Sequence, residues 1–594
     1  MNGQLQVSYP FIRDPHCLPY NRHAVIRMAE KQEKRLIKSG FLDTYNKEFQ
    51  KYLDRGAAVA LSRQEIEDYK GPVNYISHHR VIQDSVTTPL RIVTNSSLKN
   101  GKYSLNECLA RGPNSLNSML DIALRFRCHE EGMVFDLTKA YNALKTGPVE
   151  KNLRRFVWRF SPEDEWQDFA FDCVAFGDIP AANLLEIGRN LTADEGWEID
   201  PIAARKIKDD SYVDDNVGGG TTEEVKRMKG SRLADGTFTG TMRQILDKGG
   251  LKMKVIVSSG ETDESVKHLI GNKVLGYSWD ATEDNMAVKF VMHLSNKKRK
   301  VRTLPALTEE TLGLLESSPL TKRICLGICN GILDFMGLAC PFTIRFKLLM
   351  RELYEGSNRD LKYDDKVPED KLESWKELIA EAVLSSSLCF PRCVRPAGAL
   401  GTPLVVGFED GAKPAFAGCI YLQWKIPCSH GEVECEQDYE ANLQFGKARV
   451  TPLNGYTTPR SELSGMVLVS RMALTTVKAL QTESSMQPKG VVILSDSECS
   501  ISALETTSRA LKPFFHNRVA EVLENMSDMK KYCPVEEVYH VPGHLNPADV
   551  ATRGLAKVAD IGPGSFWQKG PAFFVFWEGS LACYQRFHEE GVIS

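Results

Sequence analysis

Between His23 and Leu53, apolar residues recur at helical spacing through Ile26, Met28, Leu36, Ile37, Leu42, Tyr45, Phe49 and Leu53, set among many charges. That pattern predicts an amphipathic packing helix. Ser62-Arg63-Gln64-Glu65 has the form of a capping box at the start of a short helix. Strand-like stretches follow at Tyr75–Ile82 and Pro89–Asn95, then a helix of mixed face over 104–129 and a short apolar strand at Met133–Asp136. Leu153 to Phe160 alternates basic and apolar residues, which predicts a half-exposed strand with an arginine-rich face. Phe176–Ala182 opens a helix, Glu223–Gly250 reads as helical with a glycine-rich middle, and Leu251–Val255 and Lys273–Trp279 read as strands. From 403 the texture changes. Leu404–Ala412 and Phe416–Trp424 are strands, a helix starts at Thr458 and runs through Met466, Val467, Val469 and Met472, and Val491–Ser497 is a buried strand. Tyr539–Asp549 is a strand, a loop and an Asp entering a helix.

At 594 residues the chain exceeds one domain, and three to five are expected. No run of 18 apolar residues is present, so no membrane-spanning helix is expected. The first thirty residues carry Arg13, Asp14, Arg22, Arg27 and Glu30 without an apolar core, which argues against a secretory signal. The 15 Cys are unpatterned, with no Cys-x-x-Cys, and are expected to be reduced intracellular thiols. The His78-His79 pair lacks further ligands at metal spacing and is expected to be structural.

The chemistry is concentrated first at Ser211-Tyr212-Val213-Asp214-Asp215-Asn216-Val217-Gly218. Tyr and Val favour a strand and Asp, Asn and Gly a tight turn, so a β-hairpin with Asp214 and Asp215 at its tip is expected. Adjacent carboxylates repel unless a cation offsets them, and magnesium is held by one or two carboxylates together with substrate phosphates. The pair is then either half of a two-metal phosphoryl-transfer site or a solvated Asp-Asp turn. Upstream, Phe135-Asp136-Leu137-Thr138-Lys139-Ala140-Tyr141 ends an apolar strand in an Asp, with an aromatic five residues on. Asp-Leu-x-x-x-Tyr followed by Tyr-x-Asp-Asp, with 78 residues from the first to the second Asp, resembles the palm of a reverse transcriptase. The resemblance implies that Asp136, Asp214 and Asp215 hold two magnesium ions, that Tyr141 gates against the ribose 2′-hydroxyl, and that Tyr212 lies in the substrate site. Pro89–Asn95 resembles the fingers strand whose arginine contacts the incoming triphosphate, a role implied for Arg91. Asn95 stands where that pattern usually has Asp, and Ile179-Pro180-Ala181-Ala182 replaces the usual Ser-Pro of the nucleotide-pocket loop. The arginine-rich strand at 153–160 faces either solvent or nucleic acid on this reading. Leu251–Val255 resembles the strand near the primer grip, and Leu275-Gly276-Tyr277-Ser278-Trp279 the Leu-Gly-x-x-Trp pattern of retrotransposon enzymes.

Leu333-Asp334-Phe335-Met336-Gly337-Leu338-Ala339-Cys340-Pro341-Phe342-Thr343-Ile344, with Lys347, Leu353 and Trp375, is similar to the connecting region of BEL/Pao retrotransposon polyproteins. No Asp-Thr-Gly or Asp-Ser-Gly accompanies it, so no aspartic protease site is expected. Beyond it, four acids fall at strand ends or helix starts: Asp410, Glu462, Asp496 and Asp549. Their order, Asp, Glu, Asp, Asp, resembles ribonuclease H, which implies a second metal-binding carboxylate set. The resemblance gives His544, five residues before Asp549, a role in proton transfer or product release, with a plain loop hydrogen bond as the alternative. Phe566-Trp567 and Gly570-Pro571 in the tail also resemble the family.

The resemblance as a whole implies an α+β / α/β multidomain chain. Residues 1–75 would be a helical lead-in, 76–290 the fingers and palm of a right-hand polymerase, 291–395 a thumb and BEL/Pao-type connection, 396–560 a ribonuclease H-like mixed-sheet domain and 561–594 a tail. The implied activity is RNA-directed DNA polymerase with ribonuclease H, using two Mg2+ per site, with Mn2+ as an alternative ion. The implied partners are an RNA template, a DNA primer, an RNA–DNA hybrid and dNTPs, with no membrane. The implied location is cytoplasmic or within virus-like particles, with nuclear access open, given the basic run Asn296–Arg302. The net charge of −3 requires Lys and Arg to be segregated onto one surface if phosphates are to be bound. The rival readings are a decayed or domesticated copy that binds nucleic acid or protein without catalysis, and a nuclease with an inactive polymerase half.

Overall fold

The computed structural model describes residues 5–82, 90–213, 215–270, 273–290, 292–294, 302–304, 313, 319–384, 388–427, 438–454, 456–505 and 511–575. Asp214 and most of the basic run at 296–302 lie outside these residues. The chain divides into two compact units. The first takes residues 1–117, 135–216 and 223–256, and the second takes 118–134, 217–222 and 257–594.

In the first unit, the amphipathic pattern of 23–53 forms two helices, Arg22–Lys38 and Leu42–Asp54. Gly40 breaks it, with φ of +69°, where a side chain would be strained. The buried Tyr45 and Phe49 of the second helix pack on the rings of His78, Phe156, Trp158 and Phe169. His78 is structural, as expected: its Nδ1 meets Tyr45 Oη at 2.6 Å and its Nε2 the Val157 carbonyl at 3.1 Å. Burial pulls its pKa down to about 4, which keeps it neutral in this aromatic core. Ser77–Ile82 pairs antiparallel with Leu90–Asn95.

The arginine-rich strand departs from expectation. Arg155–Trp158 is buried at every position, between Tyr75 and the strand Gln167–Phe171. Arg154 is fully buried as well, and donates to the Cys173 carbonyl and to Thr146 Oγ1 and pairs with Asp178. Arg155 donates to Asn152 Oδ1 at 2.8 and 2.6 Å, and Arg159 pairs with Glu33 at 2.8 Å. Each guanidinium is satisfied by protein, so this strand presents no arginine face to nucleic acid. Alternation marked the pleat but missed that internal partners were available. The helix expected over 104–129 is instead two short helices, Leu105–Cys108 and Met119–Phe126. The glycine-rich middle of 223–250 likewise separates Thr222–Lys229 from Thr241–Lys248.

A four-stranded sheet has the order Met253–Ser258, Glu131–Leu137, Asp215–Gly220, Ser211–Tyr212. It sets the strand ending near Asp136 beside the strand that starts at Asp215.

In the second unit, the 333–344 motif is a helix entry. The half-buried Asp334 carboxylate accepts from Tyr277 Oη at 2.8 Å and from the Leu338 and Ala339 amides at 2.9 Å, fixing the turn that leads into the helix Cys340–Glu352. The largest sheet has strands β1 (Leu400–Gly411), β2 (Ala415–Ile426), β3 (Asp438–Val450), β4 (Gly490–Ser495) and β5 (Val535–His540) in the order β3-β2-β1-β4-β5. The first three are mutually antiparallel, and β4 and β5 run parallel to β1. β4 is buried throughout, as its continuous apolar run demands. Helix α1 (Thr458–Leu480) lies on this sheet, and helix α2 is Pro513–Met529. α1 is long and apolar enough to cross a membrane by length and composition, but most of it is buried in this core. Trp567 in the tail is fully buried, donating to the Leu338 carbonyl while its own carbonyl accepts from Tyr421 Oη.

Candidate active sites

Two carboxylate sites emerge from these sheets. In the first unit, Tyr212 and Ser211 pair with Asp215 and Asn216, so the expected hairpin forms, but Asp215 opens its second strand instead of lying at the tip, because the turn comes earlier, at Val213. Val213 at its tip has φ of +55°, a conformation in which a β-branched residue is a true outlier and which persists only where surroundings enforce it. They do so here. Arg189, buried and paired with Glu186, donates to the Val213 carbonyl at 2.9 Å, and Asn117 donates to the Ser211 carbonyl at 2.9 Å. Asn216 ties the hairpin to the neighbouring strand through the Phe135 carbonyl at 3.3 Å. Asp136, one residue on, is half-exposed and faces Lys254 Nζ at 3.0 Å. Asp215 is exposed.

Lys139, with φ of +50°, turns the chain into the short helix that carries Tyr141. The Tyr141 ring meets Phe176 edge-on, with centroids 5.9 Å apart, and Phe176 is 69% exposed. The 176–182 segment is pinned from behind. Asp178 accepts from Tyr9 Oη and Ser96 Oγ at 2.5 Å each, and Asn106 bonds Gly177 and Ile179 main-chain atoms. Arg91 is exposed on its strand. Burial and then the charges of Arg55 and Arg91, with a smaller contribution from Lys51, pull the Lys139 ammonium pKa down. Asn95 serves its own turn, accepting from the Ser97 amide at 3.2 Å.

In the second unit, Asp410 lies at the end of β1, Glu462 in the second turn of α1, Asp496 follows β4, and Asp549 lies in the 3-10 turn Pro547–Ala551 after β5. Gly411 lets α1 approach. A Cβ there would lie 2.1 Å from the Glu462 amide nitrogen. Thr552 Oγ1 donates to Asp410 Oδ2, Asn546 Nδ2 to Asp496 Oδ1 at 3.2 Å, and Ser497 Oγ to Glu462 Oε2 at 2.8 Å. Arg553 pairs with Asp549 at 2.6 Å. The carboxylates feel one another. Burial first, then the charges of Asp496 and Asp549, push Asp410 up to about 6, against the Thr552 hydrogen bond. Burial and Asp549 likewise raise Asp496. Carboxylates raised in this way, as Asp410 and Asp496 are, suit a divalent cation held by hard oxygen ligands. His544 is exposed on the loop that precedes Asp549.

Sequence reasoning missed Thr552, Asn546 and Ser497, which hold the acids, and Arg189 with Glu186, which hold the hairpin. Only Asn546 carried a local signal, as the turn residue of Asn-Pro-Ala-Asp.

A stability prediction follows from Asp410. Its folded pKa of about 6 lies above the unfolded value near 4. Its contribution is therefore fully present below about pH 4 and is lost as pH rises through about 6, about 3 kcal/mol in all. In metal-free protein, the stability of wild type relative to Asp410→Asn falls across that window. Denaturant melts of both at pH 4.5 and 7.5 check this, and a difference that stays flat or rises with pH contradicts it.

The arrangement of β3-β2-β1-β4-β5 with α1 across it and acids at the ends of β1, α1, β4 and the turn after β5 defines a ribonuclease H-like domain. Residues 321–497 match the family described as Pao retrotransposon-like RNaseH-like domain, a span that includes Asp410, Glu462 and Asp496. The resemblance to Pao-type retroelement reverse transcriptase–ribonuclease H polyproteins rests on that match, and the fold is mixed α/β and multidomain. No curated protein matches the chain. Among solved structures, the chain is similar to a foamy viral protease-reverse transcriptase described in complex with double-stranded DNA, at 12% identity and a TM-score of 0.46, covering 91% of this chain and 85% of the other. A second structure of that foamy viral enzyme, the dRH form, also in complex with double-stranded DNA, gives 12% identity and a TM-score of 0.47, covering 82% of this chain and 67% of the other.

Proposed function

We propose that the chain is an RNA-directed DNA polymerase with ribonuclease H activity from a retrotransposon polyprotein. Asp136, Asp214 and Asp215 serve the polymerase, and Asp410, Glu462, Asp496 and Asp549 serve the nuclease. The observation that carries this reading is the placing of Asp410, Glu462, Asp496 and Asp549 at or near the ends of four separate elements of one sheet domain, in ribonuclease H order. The strained Val213 between Tyr212 and the Asp pair supports the polymerase half, since such strain clusters at functional sites. The domain limits proposed are those read from the sequence. Mg2+, or Mn2+, bound to each carboxylate set would supply activation of the attacking oxygen and charge stabilisation at the leaving oxygen. The chain's own residues do the rest. Lys254 neutralises Asp136 before metal arrives, Arg91 and Lys139 attract the triphosphate of a dNTP, and Tyr141 packs under its sugar. His544, on the loop before Asp549, takes or gives a proton.

The hybrid is gripped through its A-form shape and 2′-hydroxyls rather than its sequence. The proposed substrates are an RNA template with a DNA primer, and then the RNA–DNA hybrid. Magnesium-dependent primer extension on an end-labelled RNA template tests both halves, scoring DNA product and RNA fragments together. Absence of both activities in folded protein refutes the reading. Within it, Tyr141→Ala admits ribonucleotides while keeping part of its deoxynucleotide use, because the missing ring leaves space for a 2′-hydroxyl. Unchanged sugar selectivity in an active variant refutes the gate.

A further inference from the structure

β1 alternates its faces, so Asp410 and its neighbour Glu409 point opposite ways. Glu409 is completely buried against α1. Its Oε1 accepts from Ser495 Oγ at 2.5 Å, across the β1–β4 pair in which the two residues are in register. Among the described residues its Oε2 has no hydrogen-bond partner. Gly465 of α1 makes the room, since a Cβ there would lie 2.3 Å from that oxygen. Burying a carboxyl with one oxygen unsatisfied is costly, and an apolar residue would fill the place without that cost. What Glu409 has in return is a chain of contacts leading to the site. Ser495 Oγ, oriented by Glu409, accepts from the Ser497 amide at 3.0 Å. Ser497 Oγ donates to Glu462 Oε2 at 2.8 Å and is itself steadied by the Ser500 amide at 3.2 Å.

We propose that Glu409 is a positioning residue that acts through Ser495 and Ser497 to hold the Glu462 carboxylate among Asp410, Asp496 and Asp549. The proposal rests on the nuclease reading above and adds a fifth acid that touches neither substrate nor metal. Without Glu409, the Ser495 hydroxyl is free to rotate, the Ser497 amide loses its acceptor, and the turn that presents Ser497 to Glu462 loosens. Hydrogen bonding carries the effect, so an amide in place of the carboxyl suffices.

The test uses the full chain with Glu409→Leu, Glu409→Gln, Ser497→Ala, the Glu409→Leu/Ser497→Ala pair, and Asp496→Asn as control. Two quantities are read: the Mg2+ concentration for half-maximal hybrid cleavage, and the melting-temperature rise produced by Mn2+ alone without substrate. Glu409→Leu and Ser497→Ala each raise the half-saturating Mg2+ about tenfold, the scale of one lost hydrogen bond to a charged group. Each also shrinks the Mn2+-induced rise. Glu409→Gln stays within about twofold of wild type in both, because its amide oxygen still accepts from Ser495. The double variant is no worse than either single, since both break one chain of contacts. Wild-type metal dependence in Glu409→Leu, additive effects in the pair, or a Glu409→Gln as impaired as Glu409→Leu each overturns the proposal. If Glu409→Leu does not fold, Ser497→Ala decides: unchanged metal dependence overturns it. If Asp496→Asn itself leaves cleavage and the Mn2+ response intact, the nuclease reading has failed rather than this inference.

Discussion

Asp136→Asn and Asp215→Asn each lower magnesium-dependent primer extension by several orders of magnitude and leave the protein folded. The two residues sit on neighbouring strands of one sheet, joined by the Asn216 bond to the Phe135 carbonyl. A metal ion that these carboxylates would hold would lose a charged ligand when either becomes an amide, and with it the charge stabilisation on which phosphoryl transfer depends. The fold is spared for a separate reason. Asp136 is 39% exposed and its partner Lys254 33%, and an ion pair this open contributes under about 1 kcal/mol. Removing one of several repelling carboxylates also eases the metal-free hairpin. Asp214→Asn gives the same loss. Extension assays read the effect, and thermal melts check the fold. Near-wild-type extension by any of the three, in folded protein, sinks the polymerase assignment. Hybrid cleavage by these variants continues at close to the wild-type rate.

The hairpin was legible because its signals are local. The turn itself falls earlier than Asp and Asn suggest, with Val213 in it and Asp215 paired with Tyr212 in the strands. The four acids of the second site were legible for a related reason, each marking the end of an element whose apolar run can be counted along the chain. What holds those acids was not legible. Thr552 on Asp410, Ser497 on Glu462 and Arg189 behind Val213 are contacts between residues 24 to 142 positions apart, or within a turn whose direction only the packed sheet sets. The arginines at 154 and 155 show the opposite error. Basic residues in an alternating strand suggest exposure, yet Asn152, Asp178 and free carbonyls nearby give each guanidinium enough acceptors to be buried. The helical stretches at 23–53 and 104–129 were overextended, because helical spacing survives across a short break such as Gly40 while the backbone does not.

Asp496→Asn abolishes RNA cleavage in a hybrid and leaves DNA synthesis nearly unchanged. Asp496 follows a fully buried strand, and Asn546 donates to one of its oxygens at 3.2 Å. Burial and the Asp549 charge already raise its pKa, so in metal-free protein the variant removes a strained charge and does not weaken the fold. Asp and Asn have nearly the same volume, so the packing of β4 against β1 and β5 is kept and only ligand charge is lost. Asp136 and Asp215 lie on a different sheet, whose strand order does not include β4. Coupling through one shared duplex blurs the separation by a few fold, not by orders of magnitude. A single labelled hybrid, scored for extension and for RNA fragments in the same lane, reads both activities. Cleavage at the wild-type rate by Asp496→Asn ends the ribonuclease H assignment of Asp410, Glu462, Asp496 and Asp549. Loss of both activities in folded protein ends the picture of two separate sites, since one lost charge then reaches chemistry on another sheet.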